Sequence, residues 1–323
     1  MSLFMHGQIM DVGVLGTVAF PAGIIAPSGS AFAASTTPTL SVEPFRFAVG
    51  SWEPRKTLEV DGVSIAYHDS GGNAPVVICL HAIGHGARDF QDLSQRLGAH
   101  YRVIALDFPG QGYSGPDSQP ASGTRYTQLL TQFIEKLHLD GVTLLGNSIG
   151  GAVAVRYASG HPERVKALVL CDSGGLGPPP DEQSRAYINT FVKFFATGVQ
   201  GDPSFGPAFA DYYKTVLIAE PAHAERDRIV LSAYEIAPVL EQAWQSFALP
   251  EESLWDRLPL IGCPVLVAWA ESDSVISLKF NEAAFARFPN HRVEIFTGGH
   301  AAFLEDPDRF EQRLREFLDT VSK

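Results

Sequence analysis

The chain has 323 residues, of which 45% are hydrophobic and 19% charged, so it can bury a sizeable core and general disorder is excluded. Acidic residues number 36 and basic residues 24, which gives a net charge of −12, and the basic residues form no cluster. A nucleic-acid-binding protein needs such a cluster to neutralise phosphates, so the composition argues against that class. Three cysteines with no CxxC pair exclude a disulfide scaffold and give no sign of a metal site.

The first 45 residues differ in composition from the rest of the chain. Val12–Ala26 is apolar and uncharged but too short and too broken for a membrane span. It is followed by Ala31-Phe32-Ala33, the small-residue pattern at which signal peptidases cleave. The absence of basic residues before it and the presence of Pro21 depart from an export signal, and a disordered leader is the alternative. We expect residues 1–45 to be a leader and linker, cleaved near Ala34 on export to the periplasm or medium; an uncleaved chain would remain cytoplasmic.

From residue 56 onward, apolar runs typical of buried strands alternate with helical patterns. The predicted strands are Lys56–Leu58, Val63–His68, Pro75–His81, Tyr101–Asp107, Val142–Gly146, Val165–Cys171, Pro264–Ala270 and Arg292–Phe296. The predicted helices are Tyr126–Leu137, Ile149–Ser159, Leu278–Phe288 and Pro307–Thr320. The alternation predicts an α/β fold, with a mostly parallel sheet covered by helices on both faces. Residues 176–257 interrupt it and are too long for a loop, so they predict a helical insertion.

The segment Gly146-Asn147-Ser148-Ile149-Gly150-Gly151 joins a predicted strand to a predicted helix. In this context G-x-S-x-G is typical of a sharp turn that lifts a serine hydroxyl above the sheet. Glycine is needed two positions either side, because a Cβ there would collide with neighbouring backbone. Ser148 is therefore the candidate nucleophile, and the Ile149 N–H is left free at a helix N-terminus.

A serine nucleophile needs a base, and the base needs an orienting acid. His300 follows the last predicted strand and so lies at the same sheet edge as Ser148. Asp273 follows the strand after the insertion and Asp172 the strand before it, so either can reach His300. We favour Asp273, because the chain order Ser148, Asp273, His300 matches the order expected for this architecture. Asp172 is the alternative, and Glu271 ranks below both.

Taken together, these segments resemble the capped α/β-hydrolase superfamily over about residues 56–320. Four of them carry the resemblance in order: Leu80–Gly84, Asp107–Ser114, the turn at Gly146–Gly151 and the Asp273/His300 pair. The resemblance implies that Asp107–Ser114 is a structural turn and that residues 46–175 and 258–323 form the hydrolase core. It also implies that residues 176–257 are a helical cap over the substrate.

The resemblance further implies an oxyanion hole made by the backbone N–H of Ile149 and one from the loop after His81, for which we predict Ile83. The sequence departs from the family at Ala82, where the family usually has glycine. This difference affects which N–H of the loop points towards the oxyanion, not whether the loop is present. His81 is expected to brace this loop by hydrogen bonding.

We expect a serine hydrolase that forms an acyl-enzyme on an uncharged, partly apolar carboxylic ester. Aromatic residues are abundant in 176–257; most should dock the cap on the core, and some should line its mouth. The expected partner is a small-molecule substrate, with no nucleic acid, no stable membrane span, no metal and no organic cofactor.

Two alternatives stay open within this fold. Asn147 and the segment Ser173–Gly177 resemble C–C bond hydrolases of vinylogous diketo acids, although the glycine-rich loop of those enzymes is missing. Such an enzyme needs a cation for its acidic substrate, and the candidate donors are Arg185, Lys193, Arg226 and Arg228. The other alternative is a non-catalytic receptor for a small ligand.

Overall fold

The structure, a computed structural model, describes residues 52, 53 and 55–321. The predicted leader, its cleavage site and the linker over 1–45 lie outside these residues, so their roles stay predictions. Among the described residues, no helix has the length and apolarity that a membrane crossing requires.

Eight strands form one sheet: β1 (Arg55–Val60), β2 (Val63–Asp69), β3 (Val76–Leu80), β4 (Arg102–Leu106), β5 (Val142–Asn147), β6 (Val165–Cys171), β7 (Val265–Ala270) and β8 (His291–Phe296). Their spatial order is β1-β2-β4-β3-β5-β6-β7-β8. β2 pairs antiparallel with β1 and with β4, and every later pair in this order is parallel. The predicted α/β fold with a mostly parallel sheet is confirmed.

The helices are α1 (Gln91–Leu97), α2 (Gly123–Lys136), α3 (Ile149–Gly160), α4 (Glu182–Val199), α5 (Phe205–Val216), α6 (His223–Leu231), α7 (Ala233–Phe247), α8 (Leu278–Phe285), α9 (Ala302–Glu305) and α10 (Pro307–Val321). α1 was not predicted, although its Leu93 and Leu97 are buried at helical spacing. α8 ends at Phe285, three residues before the predicted Phe288, because the chain there changes to tighter turns: the N–H groups of Arg287 and Phe288 donate to the carbonyls three residues earlier.

The first strand is longer than the predicted Lys56–Leu58. It pairs with β2 from Arg55 opposite His68 to Val60 opposite Val63. Asp61 and Gly62 connect the two strands with φ values of 50° and 79°, the positive values that a type I′ hairpin turn requires. Because Asp61 and Gly62 form this tight turn, the two strands stay paired up to the residues on either side of it. Hydrophobic alternation alone did not predict this longer pairing.

The central strands are apolar because both of their faces are covered. β5 and β7 are buried at every residue, and β6 at all but Lys166. In-register pairing aligns the carboxyl ends of the strands: Asn147 pairs with Cys171, Cys171 with Ala268 and Ala270 with Phe296. The loops that follow these four strands therefore begin at one edge of the sheet.

The segment between β6 and β7 contains α4–α7, so residues 176–257 have the helical character we expected. Its aromatic side chains pack mainly on one another, whereas we expected most of them to dock on the core. The rings of Phe191 and Trp244 stack at 4.0 Å across α4 and α7, and Phe195 and Phe209 are fully buried. This insertion therefore has an aromatic core of its own.

Candidate active site

The parallel sheet brings the predicted site residues to one edge. Ser148 follows β5, Asp172 follows β6, Asp273 lies three residues after β7, and His300 lies four residues after β8. All four are at least nine-tenths buried.

Ser148 occupies a strained turn between β5 and α3. Its φ of 55° and ψ of −120° lie in a region that non-glycine residues rarely adopt, at a cost of about 1–3 kcal/mol. The Ser148 N–H donates to the Cys171 carbonyl at 3.1 Å, and its own carbonyl accepts from the N–H groups of Gly151 and Gly174 at 3.0 and 2.9 Å. These bonds keep the strained conformation in place.

The glycines around Ser148 are required by close backbone approach, as predicted. A Cβ on Gly146 would lie 2.3 Å from the Gly150 carbonyl oxygen, and a Cβ on Gly150 would lie 2.1 Å from the Leu80 carbonyl oxygen. Both distances are far inside van der Waals contact, so no other residue fits at either position.

His300 and Asp273 form a buried hydrogen-bonded pair. Nδ1 of His300 lies 2.9 Å from Oδ2 of Asp273. The other carboxylate oxygen, Oδ1, accepts from the N–H groups of Val275 and Ile276 at 2.7 and 3.0 Å. Since the carboxylate accepts the Nδ1 proton, Nε2 is the ring nitrogen that can take a proton from a nucleophile.

The pKa of His300 is set by opposing effects. Burial lowers it, but the charge and hydrogen bond of Asp273 outweigh burial, with smaller contributions from Asp172 and Glu305. The net result is a pKa above the ordinary value for histidine.

Asp172 lies beside this pair but bonds to backbone. Its Oδ1 accepts from the Ala270 N–H at 2.7 Å and its Oδ2 from the Ala302 N–H at 3.4 Å. Burial, and then the charge of Asp273, raises the pKa of Asp172 well above its ordinary value. The imidazole of His300 thus bonds to Asp273 rather than Asp172, and the side chain of Glu271 is exposed.

The loop after β3 is braced as expected. Nδ1 of His81 lies 2.6 Å from the Ala82 carbonyl oxygen, and Nε2 of His81 accepts from the Phe108 N–H at 2.9 Å. Burial lowers the pKa of His81 to about 4, so the ring is neutral at pH 7. Within the described chain, the N–H groups of Ile83 and Ile149 have no protein acceptor, whereas the Gly84 N–H donates to Oε1 of Gln111 at 2.6 Å.

The Asp107–Ser114 loop has the structural role we expected. The Asp107 carboxylate accepts from the N–H groups of Ala87 and Tyr113 at 2.7 and 3.0 Å. A Cβ on Gly112 would lie 2.3 Å from this carboxylate, so the turn needs glycine there.

Two buried residues near the site were not predicted as functional. Nδ2 of Asn147 donates to the His300 carbonyl at 2.9 Å. This bond links the turn at Ser148 to residues 297–301, the loop that carries His300 and is called the histidine loop below. The Glu305 carboxylate accepts from N–H groups in that same loop and in the insertion. The only sequence signal for Glu305 is its position directly after the short apolar run Ala301–Leu304 that follows His300.

A buried charged chain connects the loop after β3 to the insertion. Nδ1 of His85 lies 2.5 Å from Oδ2 of Asp89, and Oδ1 of Asp89 accepts from Arg228 of α6 at 2.7 Å. The Arg228 guanidinium also pairs with Glu225, so its charge is already neutralised within the protein.

Comparison with known proteins assigns the family. A family model described as the alpha/beta hydrolase fold matches residues 75–307, so the chain belongs to this family. A 2-hydroxy-6-oxononadienedioate/2-hydroxy-6-oxononatrienedioate hydrolase from Cupriavidus pinatubonensis is 28% identical, over 78% of this chain and 89% of its own length.

Solved structures share the same fold. A bacterial membrane phospholipase A superposes with a TM-score of 0.69 at 25% identity, covering 84% of this chain and 87% of its own. A thermophilic esterase from Thermogutta terrifontis superposes with a TM-score of 0.70 at 23% identity, covering 84% of this chain and all of its own. The fold is thus shared with proteins named as a phospholipase and as an esterase.

Proposed function

We propose that this protein is a serine hydrolase that cleaves an uncharged, partly apolar carboxylic ester through an acyl-enzyme. The observation that carries the proposal is the buried 2.9 Å bond between His300 and Asp273, at the sheet edge where Ser148 occupies its strained turn. An oriented base beside a serine on such a turn is what acyl transfer requires.

In the proposed reaction, the Ser148 hydroxyl attacks the ester carbonyl while Nε2 of His300 takes its proton. Asp273 stabilises the resulting imidazolium, and His300 then returns the proton to the leaving alcohol. Water repeats the sequence on the acyl-enzyme and releases the acid. The N–H groups of Ile83 and Ile149 stabilise the oxyanion at each step; neither has a protein acceptor in the described part of the chain, so both are free to bind it.

The apolar character of the substrate is supported by what covers the loop after β3. A Cβ on Gly84 would lie 3.2 Å from Leu240 and 3.3 Å from Ile236, two apolar side chains of α7. This loop carries the proposed oxyanion donor Ile83, so apolar groups of the insertion lie next to the reacting carbonyl. An apolar acyl or alcohol group is therefore favoured there.

The alternative of a C–C bond hydrolase is favoured by the relative from Cupriavidus pinatubonensis, whose named substrate is a dioate. A dicarboxylate bound in a buried site needs an unoccupied cation there, and none of the four candidates is both buried and unpaired. Arg228 is paired with Asp89 and Glu225, and Arg226 with Asp227 and the Leu217 carbonyl. Arg185 and Lys193 are exposed to solvent. The ester is therefore the preferred substrate.

The test is turnover of a panel of p-nitrophenyl esters with different acyl lengths, together with labelling by a fluorophosphonate probe. We expect multiple turnovers, labelling at Ser148, and loss of both in a folded Ser148→Ala variant. Ser159→Ala, at the far end of α3, is the matched control and should keep full activity and labelling. Full activity in Ser148→Ala would overturn the proposal, and binding without turnover would identify a receptor.

A further inference from the structure

We propose that Glu305 is a positioning residue that fixes the loop of His300 to the insertion, so that the insertion sets the placement of the base. This inference rests on the proposed function, since it concerns how the base of that reaction is held. It is carried by the geometry of a single buried carboxylate with hydrogen-bond donors from two separate parts of the chain.

One oxygen of Glu305 belongs to the histidine loop. Oε1 accepts from the Gly299 N–H at 2.8 Å and from the Ala301 N–H at 3.4 Å. These are the two residues that flank His300 in sequence. The backbone on both sides of the base is therefore bonded to one carboxylate oxygen.

The other oxygen belongs to the insertion. Oε2 accepts from the N–H groups of Ile218 and Ala219, each at 2.8 Å, just beyond the end of α5. The same junction has a direct backbone bond, because the His300 N–H donates to the Val216 carbonyl at 2.7 Å. Glu305 thus joins two segments that lie more than 80 residues apart in the chain.

The sequence before His300 fits this arrangement. A Cβ on Gly298 would lie 2.7 Å from Cβ of Glu305, and a Cβ on Gly299 would lie 2.2 Å from the Val216 carbonyl oxygen. Only glycine leaves room for Glu305 and the end of α5 at these two positions. The pair Gly298-Gly299 is therefore explained by the junction that Glu305 forms.

A carboxylate suits the position for two reasons. Its two oxygens together accept from four N–H groups, and bonds to a charged acceptor are stronger than neutral ones. Its charge also faces His300, together with those of Asp273 and Asp172, and contributes to raising the pKa of His300. A substitution at Glu305 can change the length of the side chain, which decides whether it bonds both sets of N–H donors, or its charge. Different variants separate these two effects.

Three variants and one control separate them, measured as kcat, KM and the pH dependence of kcat/KM on the best ester of the panel. Glu305→Gln keeps the size but loses the charge, and its NH₂ group must face backbone N–H donors. We expect kcat to fall about 10- to 100-fold, as for small misplacements of a catalytic group, with the acid limb of kcat/KM at lower pH than in the wild type. Glu305→Asp keeps the charge but is too short for both sets of donors, so kcat should fall with the acid limb unmoved.

The third variant acts from the insertion and leaves Glu305 intact. Ala219 has φ of −80° and ψ of 147°, which proline adopts readily, so Ala219→Pro removes one donor to Glu305 without backbone strain at that residue. We expect a lower kcat in this variant with an unchanged acid limb. The control is Asp306→Asn. In the described chain its carboxylate accepts from the hydroxyl of Thr297, the first residue after β8, and makes no bond to Gly299, His300 or Ala301, so this variant should match the wild type.

The outcomes distinguish this inference from the proposed function. If Ser148→Ala retains the ester turnover, the proposed function falls. If turnover depends on Ser148 while Glu305→Gln and Ala219→Pro both keep the wild-type kcat and acid limb, the positioning role of Glu305 is overturned. Circular dichroism checks that each variant is folded; if Glu305→Gln is not, Ala219→Pro and Glu305→Asp decide the matter through the same two readouts.

Discussion

The side-chain amide of Asn147 donates to the backbone carbonyl of His300 over 2.9 Å, so the residue before Ser148 holds the loop that carries His300. The same Nδ2 group donates to the Cys171 carbonyl at 3.1 Å. With the Glu305 bonds on its flanking residues and the Val216 bond on its own N–H, the backbone of His300 is fixed from three directions.

Replacing Asn147 by alanine should reduce both stability and activity. The buried carbonyl oxygen of His300 loses the Asn147 donor, at a cost of about 1–3 kcal/mol in the free energy of unfolding, whereas the Cys171 carbonyl keeps the Ser148 N–H. Urea denaturation and ester kinetics measure the two effects. Asn281→Ala is the matched control, because Asn281 is also buried and also donates to a backbone carbonyl, but on α8. It should lose stability while keeping the wild-type kcat; a wild-type kcat in Asn147→Ala as well would contradict this prediction.

Substitution of the two acids should separate their roles. Asp273→Asn is expected to reduce kcat by about 10³- to 10⁴-fold, because the amide stabilises the wrong tautomer of His300. Asp172→Asn should change kcat far less, since its oxygens accept from the Ala270 and Ala302 N–H groups and an amide oxygen can retain the shorter bond. Steady-state kinetics on one ester compares the two. The reverse result would assign the acid to the strand before the insertion.

The pH dependence of activity and stability should run in opposite directions over the same range. His300 must be neutral to take a proton, so kcat/KM should rise with pH through its pKa, which lies above 6.5. A pKa raised on folding means that the folded protein binds the proton more tightly. The stabilisation from His300 is therefore complete below pH 6.5 and is lost as pH rises through the raised pKa.

These two trends are checked by the pH profile of kcat/KM and by Tm against pH for the wild type and a His300→Gln variant. The difference in Tm between the two proteins gives the contribution of His300. In Asp273→Asn the residual activity should have its acid limb at lower pH, because the main group that raises the pKa is gone. If kcat/KM of the wild type fell only at a pH below the ordinary pKa range of histidine, His300 would not be held by Asp273 as described.

Alanine at Gly150 should prevent folding or destabilise the protein strongly. Its Cβ would lie 2.1 Å from the Leu80 carbonyl oxygen, which belongs to a central strand and cannot move away. Gly160 lies at the other end of the same helix, and a Cβ added there would meet no atom within 4 Å, so Gly160→Ala should be neutral or slightly stabilising. Soluble yield and the free energy of unfolding compare the two; equal stability of both variants would refute the close approach at Gly150.

Local patterns were enough to predict much of this fold. The apolar runs at Val142–Gly146 and Val165–Cys171 marked the central strands, and the glycine spacing around Ser148 marked the turn, because both depend on neighbours in sequence. The first strand was predicted too short, because pairing with β2, rather than hydrophobic alternation, extends β1 to the turn at Asp61-Gly62.

Contacts between segments far apart in the chain could not be predicted from sequence patterns. Chain order favoured Asp273 over Asp172, but both follow strands at the same edge, so which carboxylate reaches Nδ1 of His300 was visible only in the structure. The role of Glu305 depends on N–H groups from residues more than 80 positions earlier, which no local pattern records. The aromatic residues of the insertion were correctly expected to be mostly packing, but their partners proved to be one another.

The aromatic core of the insertion has a practical consequence for protein engineering. Because Phe191, Phe195, Phe209 and Trp244 fill the space among the insertion's own helices, they fix its shape independently of the side chains that face the sheet edge. Ile236 and Leu240, which cover the loop after β3, are buried as well, so they can be exchanged for other apolar side chains of similar volume without emptying that core. A library of apolar residues at these two positions is a route to altered ester selectivity.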